Sequence, residues 1–285
     1  MSSKSTLYVV ATPIGNLNDI SLRALDILTK VDVVAAEHTQ VSGHLFAAHA
    51  ISSKLISLHQ HNEAIVANKI LALLNSGKSV ALVTDAGTPG ISDPGAILVQ
   101  HVRAQGYSII PIPGANAAIC ALSASGITNP HFLFYGFLPA KTGLRKRALI
   151  ELKPQLCTLI FYEAPHRILE CIIDMLDVFG PQRELTVARE LTKLFETIHR
   201  GTLYEIHSWL QEDINQQKGE FVLLLAGAEP TDKSEVSEQA GRTLKCLLIE
   251  LPLKQSVKLA AEITGESKNS LYQLALKLKN ARYPE

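Results

Sequence analysis

The stretch Ser79-Val80-Ala81-Leu82-Val83-Thr84-Asp85-Ala86-Gly87-Thr88-Pro89-Gly90-Ile91-Ser92-Asp93-Pro94-Gly95 decides how the chain is read. Its first five residues form a short apolar, β-branched run, the signature of a buried strand. The loop that follows, Asp85–Gly95, holds three glycines and two prolines. Ordinary strand-to-helix connections are shorter, about 2–6 residues. Glycine lets a ligand approach the backbone closely, and proline holds the shape. The spacing then predicts a helix over Asp93–Gln105, with Pro94 in its first turn and Gly106 closing it.

The same unit repeats outward. Leu7–Ala11, Val31–Ala36, Lys54–Leu58 and Ser108–Ile112 read as further strands. Ile20–Lys30, Ser42–Ala50 and Glu63–Asn75 carry helical periodicity, the last with Asn62 as a cap. Strands alternating with helices imply a mainly parallel sheet covered on both faces. A second series starts near Pro130. Strands are predicted at Phe132–Phe137, Thr158–Tyr162, Leu185–Ala188, Glu196–His199 and Glu220–Ala226, and helices at Gly143–Leu152, Pro165–Phe179 and Leu203–Gln211. This second α/β layer has more hairpin character. Glu229–Ser237 is polar, contains Pro230 and reads as a linker. Three short helices follow, Glu238–Glu250, Leu253–Thr264 and Lys268–Lys279, separated by Pro252 and Gly265. They suggest a helix-turn-helix-like tail. The fold class is α/β, with domains over 1–127 and 128–229 and a linker and helical tail over 230–285.

Composition narrows the function. Of 285 residues, 27 are Lys or Arg and 27 are Asp or Glu, so the formal net charge is zero. That argues against coating nucleic acid by bulk charge, without excluding a local basic patch. The longest mostly apolar stretches, Ala115–Ile127 and Phe221–Ala228, fall short of the ~20 residues that span a membrane. Met1–Thr6 is short and polar and does not resemble a signal peptide. Cys120, Cys157, Cys171 and Cys246 show no CxxC spacing. A reduced, cytoplasmic protein without disulfides is expected. His59 and His61 lie close together but lack an evident third ligand, so no metal site is assigned.

Ligands of open α/β sheets bind beyond the carboxyl ends of the strands. The tips there are Thr12–Asn16, Glu37–Gln40, His59–Glu63, Asp85–Gly95 and Pro111–Ala117. All are small or polar, and five at one edge suggest a pocket. The second half adds Tyr162–Arg167, Ala188–Lys193 and Lys218–Glu220. His166 and Arg167 are read into the first turn of a helix, where a cation is disfavoured by the helix dipole; either a function or a carboxylate partner such as Glu190 explains them. GxGxxG after the first strand, GxxxxGK[ST] and the GxSxG elbow are absent, and Ser123-Ala124-Ser125-Gly126 does not supply the last. The pocket belongs to a less common α/β type.

The ordered set Thr12–Leu17, Asp85–Pro89, Pro113-Gly114, Tyr162–Arg167, Arg189–Lys193 and Lys218–Glu220 resembles the tetrapyrrole methylase superfamily over essentially the whole chain. Within it, the resemblance is to the branch that methylates a ribose 2′-oxygen of a decoding-centre cytidine in 16S rRNA of the small ribosomal subunit. It implies two α/β domains of tetrapyrrole-methylase type, S-adenosyl-L-methionine in the cleft between them, and a homodimer. Carried over by position, it implies cofactor contacts from Pro13, Ala86, Gly87, Thr88, Pro89, Ile91, Asn116, Ala117, Glu163 and Leu191. There are departures. Where that branch usually reads Glu-Asp-Thr-Arg, this chain has Glu37-His38-Thr39-Gln40. Where it usually reads Asp-His-Asn-Glu, this chain has Gln60-His61-Asn62-Glu63. Other outcomes are another acceptor, such as a tetrapyrrole, or a ribosome-associated binder without chemistry.

A protonated ribose hydroxyl is a poor nucleophile, so a base is sought. Candidates are Glu37, His61 and Asp85, on adjacent tips; Asp85 has the competing role of bonding its own glycine-rich loop. RNA needs cations for its phosphates. One basic run holds Lys141, Arg145, Lys146 and Arg147 without a local acid. A second holds Lys268, Lys277, Lys279 and Arg282 beside the helix-turn-helix-like tail.

Overall fold

The structure is a computed structural model that describes residues 5–229, 236 and 238–282. The expected linker falls mostly outside the described residues, as do Met1–Lys4. The chain divides into two compact units, Met1–Ala228 and Glu229–Glu285.

The first unit opens with strands β1 (Thr6–Val10), β2 (Val33–Ala36), β3 (Leu55–Ser57), β4 (Val80–Val83) and β5 (Ser108–Ile112). They form an all-parallel sheet in the order β3-β2-β4-β1-β5. The alternation of β4 shows why both faces are apolar. Ala81 and Val83 join a core with Ala24 and Leu28 of α1 (Leu22–Lys30) and Leu45 and Phe46 of α2 (Thr39–Ala48). Val80 and Leu82 face the other way, onto Val66, Ile70 and Leu74 of α3 (Glu63–Asn75) and Leu98 and Val102 of α4 (Ala96–Ala104). Such a sheet has no solvated face, so its strands read as unbroken apolar runs.

The second sheet has the order β6-β7-β10-β8-β9. Its strands are β6 (Phe132–Phe137), β7 (Thr158–Glu163), β8 (Glu184–Arg189), β9 (Thr197–Thr202) and β10 (Phe221–Leu225). Only β6 and β7 pair in parallel; β10 and the β8–β9 hairpin are antiparallel. One face is covered by α6 (Thr142–Leu152), α7 (Ile168–Phe179) and α8 (Leu203–Glu212) through Leu149, Ile172, Met175 and Ile206. The other carries Ile160, Ala188, Val222 and Leu224 against Ala118 and Ala121 of α5 (Ala117–Ala124). This helix follows the first sheet in sequence and packs on the second. The two sheets expected as separate domains therefore share one compact unit.

Several expectations need correction. Helix α5 leaves no periodic mark in the sequence: Ala117-Ala118-Ile119-Cys120-Ala121-Leu122 is apolar all round. Helix α4 starts at Ala96, so Pro94 and Gly95 precede it. Asn62 holds the N-cap position of α3 but makes no side-chain cap bond; its side chain accepts from the His59 amide at 2.8 Å and donates to the Ser57 carbonyl at 3.2 Å. His166 and Arg167 lie before α7, not in its first turn. The carboxylate partner of Arg167 is Glu163, with Nε 3.2 Å from Oε1, and Glu190 pairs instead with Lys193 at 2.9 Å.

Arg145 is also misread as a surface cation. It is fully buried, with Nε 2.6 Å from Asp174 Oδ2 and Nη1 donating to the Ala140 carbonyl at 3.1 Å. Lys146 is held by Asp177 at 2.5 Å and Asp174 at 3.5 Å. The acids that sequence inspection missed come from α7, one helix further along the chain. Lys141 and Arg147 remain exposed.

The second unit is α9 (Glu238–Glu250), α10 (Leu253–Thr264) and α11 (Lys268–Arg282). Ala240, Leu244, Val257, Ala260, Leu271 and Ala275 form its core. Ser256 Oγ donates to the Leu247 and Leu251 carbonyls at 3.1 Å, tying α10 to the end of α9. Gly265 ends α10 with φ 74°, a left-handed stop that favours glycine. Lys268, Lys277 and Lys279 are exposed. The side chain of Arg282 lies outside the described residues.

Candidate active site

The tips of the first sheet are joined to one another by hydrogen bonds. Thr12 and Gly87 exchange backbone hydrogen bonds of 2.9 and 3.0 Å, and Thr12 Oγ1 donates to the Thr84 carbonyl at 3.0 Å. Gly87 adopts φ +80°, a conformation that L side chains rarely reach. The far end of the Asp85–Gly95 loop is anchored by buried Glu63. Its Oε1 accepts the amides of Gly95 at 2.9 Å and Leu98 at 3.0 Å, filling the start of α4. Thr88 Oγ1 bonds the Ala115 carbonyl at 3.0 Å, and the Asn116 side chain caps α5 through Ile119.

The second half meets these tips directly. The Asn16 amide donates to Thr192 Oγ1 at 3.1 Å, and a Cβ on Gly15 would fall 2.7 Å from that oxygen. Tyr162 Oη accepts the Ala118 amide at 3.2 Å, and burial pushes its phenol pKa up. Lys193 bridges Glu190 and Glu220 at 2.9 and 2.8 Å. Arg189, expected among the tip residues, is structural: it donates to the carbonyls of Lys218, Phe195 and Asn215.

A cavity of about 300 Å³ lies between the halves. Ala86, Gly87, Thr88, Ile91, Asn116, Ala117, Glu163 and Leu191 all line it, together with Ile14, Asp93, Tyr162 and Val222. Pro13 and Asp85 line an adjoining cavity that shares Ile14 and Ala86. Pro89 lines neither. The walls are mostly apolar with a few polar groups, the usual make-up of a small-molecule site.

Strands β3, β2 and β4 are consecutive, so the tips carrying His61, Glu37 and Asp85 are neighbours. His61 nevertheless stays exposed and lines neither cavity; its Nε2 lies 3.3 Å from Gln60 Nε2, and its ring meets the edge of the His59 ring at 5.9 Å between centroids. The carboxylate of Asp85 does not bond its own loop. It accepts the His38 amide at 3.1 Å and lies 2.6 Å from His38 Nδ1. That bond, with the charge of Asp85, raises the His38 pKa. Glu37, His38 and Asp85 each place a ligating atom within 4.8 Å of the others. Because Nδ1 and Oδ2 already bond one another, the trio reads as a hydrogen-bonded charge cluster rather than a metal centre. Burial, and then the charge of Asp85, raise the pKa of Glu37.

Asp93 was not singled out from sequence. It is half-buried and lines the main cavity. Burial, followed by the charges of Glu37 and Asp85, pushes its pKa up to about 7. Its position inside the Gly/Pro loop was visible, but nothing in one dimension sets it beside Glu37, 56 positions earlier in the numbering of the chain.

The parallel sheet, the mixed sheet and a cleft between them define a two-lobed α/β enzyme class, and the comparisons with known proteins agree. The chain belongs to the Tetrapyrrole (Corrin/Porphyrin) Methylases, whose family model matches residues 6–207. A second model, the RsmI C-terminal HTH domain, matches residues 234–279. The chain is 51% identical over 275 residues to the Ribosomal RNA small subunit methyltransferase I of Pseudomonas aeruginosa, covering 96% of this chain and 98% of that one. It is 51% identical to the protein of that name from Vibrio cholerae serotype O1, covering 95% and 94%. Among solved structures it resembles uroporphyrin-III-C-methyltransferase from Thermus thermophilus, with TM-score 0.57 and 21% identity over 78% of this chain and 94% of that one. That likeness concerns the fold alone. Among the described residues no helix is long and apolar enough to cross a membrane.

Proposed function

We propose that this chain transfers a methyl group from S-adenosyl-L-methionine to a ribose 2′-oxygen of a cytidine in the decoding centre of 16S rRNA. The observation that carries the reading is the match to rRNA methyltransferases along nearly the whole of both chains, helical tail included. The reading has the protein act in the cytoplasm, as a homodimer, on the small ribosomal subunit.

The cavity suits the cofactor in size and chemistry. Ile14, Ile91, Ala117 and Leu191 offer apolar walls, and Thr88, Asn116 and Tyr162 add polar groups. Residues Ala86–Thr88, Ile91, Asn116, Ala117, Glu163 and Leu191 would hold it, with Pro13 at the adjoining opening. When bound, it supplies an electrophilic methyl on a sulfonium. The protein's part is to align the acceptor oxygen for in-line attack and to exclude water, effects that supply much of the rate. Arg167 and the Ala164 amide hold Glu163 in place at the cavity wall, at 3.2 and 2.8 Å. Of the cations expected to meet RNA, Lys141, Arg147, Lys268, Lys277 and Lys279 are exposed and available to its phosphates.

The test incubates purified protein and labelled cofactor with small subunits from a strain lacking the modification. Label in a 16S ribose is expected. Label only in a small tetrapyrrole would assign a different acceptor, and no label in any acceptor would leave a binder without chemistry.

A further inference from the structure

Four ionisable side chains line the main cavity: Asp93, Tyr162, Glu163 and Glu220. Three are already committed. Glu163 is buried, accepts the Ala164 amide at 2.8 Å and pairs with Arg167. Glu220 pairs with Lys193 at 2.8 Å. Tyr162 Oη accepts the Ala118 amide. Among the described residues no hydrogen bond or ion pair reaches the carboxylate of Asp93. A half-buried carboxylate without a partner, facing a cavity, is costly to keep ionised and ready to take a proton.

Its surroundings strengthen that reading. Glu37 and Asp85, from the tips of β2 and β4, face it with like charge. Tyr162, from β7, faces it across the cavity. His38 lies behind Asp85, bonded to it by ring and amide. Gly95, two residues on, is fixed by Glu63, so the loop that carries Asp93 is anchored.

We propose that Asp93 is the proton acceptor of the reaction, with Glu37 and Asp85 as positioning charges that tune it. The inference rests on the function proposed above. A carboxylate lone pair of Asp93 forms the new O–H bond. The electron pair of the broken O–H bond stays on the acceptor oxygen as that oxygen gains the methyl, and the pair of the broken methyl–sulfur bond stays with the donor sulfur, which would leave as a neutral thioether. Asp93 ends neutral and releases its proton to solvent before the next turnover. A carboxylate with a pKa near 7 is well matched to this task at neutral pH.

The experiment compares wild type, Asp93→Asn and Glu37→Gln, with single-turnover methyl transfer to small subunits followed from pH 5 to 9. Wild-type rates should fall as pH drops below about 7, because the base becomes protonated. Asp93→Asn should lose about 100-fold at pH 8, within the usual range for a lost general base, and lose that acid limb. Glu37→Gln should move the limb to lower pH, because one like charge is gone.

Two further readouts do not depend on activity. Cofactor affinity of Asp93→Asn, by calorimetry, should stay within about threefold of wild type, a shift of under 1 kcal/mol. The thermal midpoint supplies the other. A carboxyl with a raised folded pKa binds its proton more tightly when folded, so the contribution of Asp93 to stability declines as pH rises from about 4 to 7. The gain in midpoint on Asp93→Asn should therefore be larger at pH 8 than at pH 4.5. An active wild type with Asp93→Asn within threefold of it, or a limb that vanishes in Glu37→Gln and persists in Asp93→Asn, overturns the assignment to Asp93 alone. A wild type that methylates no RNA overturns the underlying reading and this one with it. A midpoint difference that does not change with pH also overturns it.

Discussion

Arg145 shows how a single residue can be read wrongly from its neighbours. It stands in Lys141-Thr142-Gly143-Leu144-Arg145-Lys146-Arg147, which carries no acid, and yet the guanidinium is sealed against Asp174, 29 residues later. Breaking a buried ion pair leaves an uncompensated charge, which costs about 3–5 kcal/mol. Arg145→Ala should therefore lower the urea midpoint severely, while Arg147→Ala should leave it nearly unchanged and weaken RNA binding. A stable Arg145→Ala protein with poor RNA affinity would return Arg145 to the interface. The loops that line the cavity were legible at this scale, because glycine, proline and small polar residues mark strand tips. The His38–Asp85 bond and the like-charge approach of Asp93 to Glu37 were not, because they join different tips and depend on strand order.

The elements themselves were read well wherever periodicity or turn residues were clean. Ser108–Ile112, Phe132–Phe137 and Glu63–Asn75 have the bounds expected of them. Helix α5 escaped because a helix that is apolar all round has no stripe to detect. Sheet order escaped because parallel pairing is set by packing and crossover, which leave no local mark. Glu63 belongs to this scale: it lies in α3 but completes α4. Glu63→Ala leaves the Gly95 and Leu98 amides buried without a partner, each such donor costing about 1–3 kcal/mol. Urea unfolding should show that loss, calorimetry should show weaker cofactor binding, and Glu63→Gln, which retains an acceptor oxygen, should recover most of both. Unaltered stability in Glu63→Ala would remove it from this role.

The whole molecule explains a net charge of zero. Some of its cations are internal fasteners, such as Arg145, Arg167 and Arg189, and others, such as Arg147, Lys268, Lys277 and Lys279, are exposed. Deleting residues 230–285 should reduce methylation of small subunits at least tenfold while cofactor affinity changes by less than threefold, a shift under 1 kcal/mol. Equal losses in both would mean that the tail supports folding instead.

The contact between Asn16 and Thr192 has one more consequence, in time rather than in space. The two residues are 176 positions apart, and they meet at the mouth of the cleft. At ribosomal synthesis rates of about 5–20 residues per second, that span takes ~10–35 s to make. The first sheet can form on the nascent chain while Thr192 is still unmade. The cleft cannot, so the protein gains its ability to hold a ligand only after most of it has been synthesised.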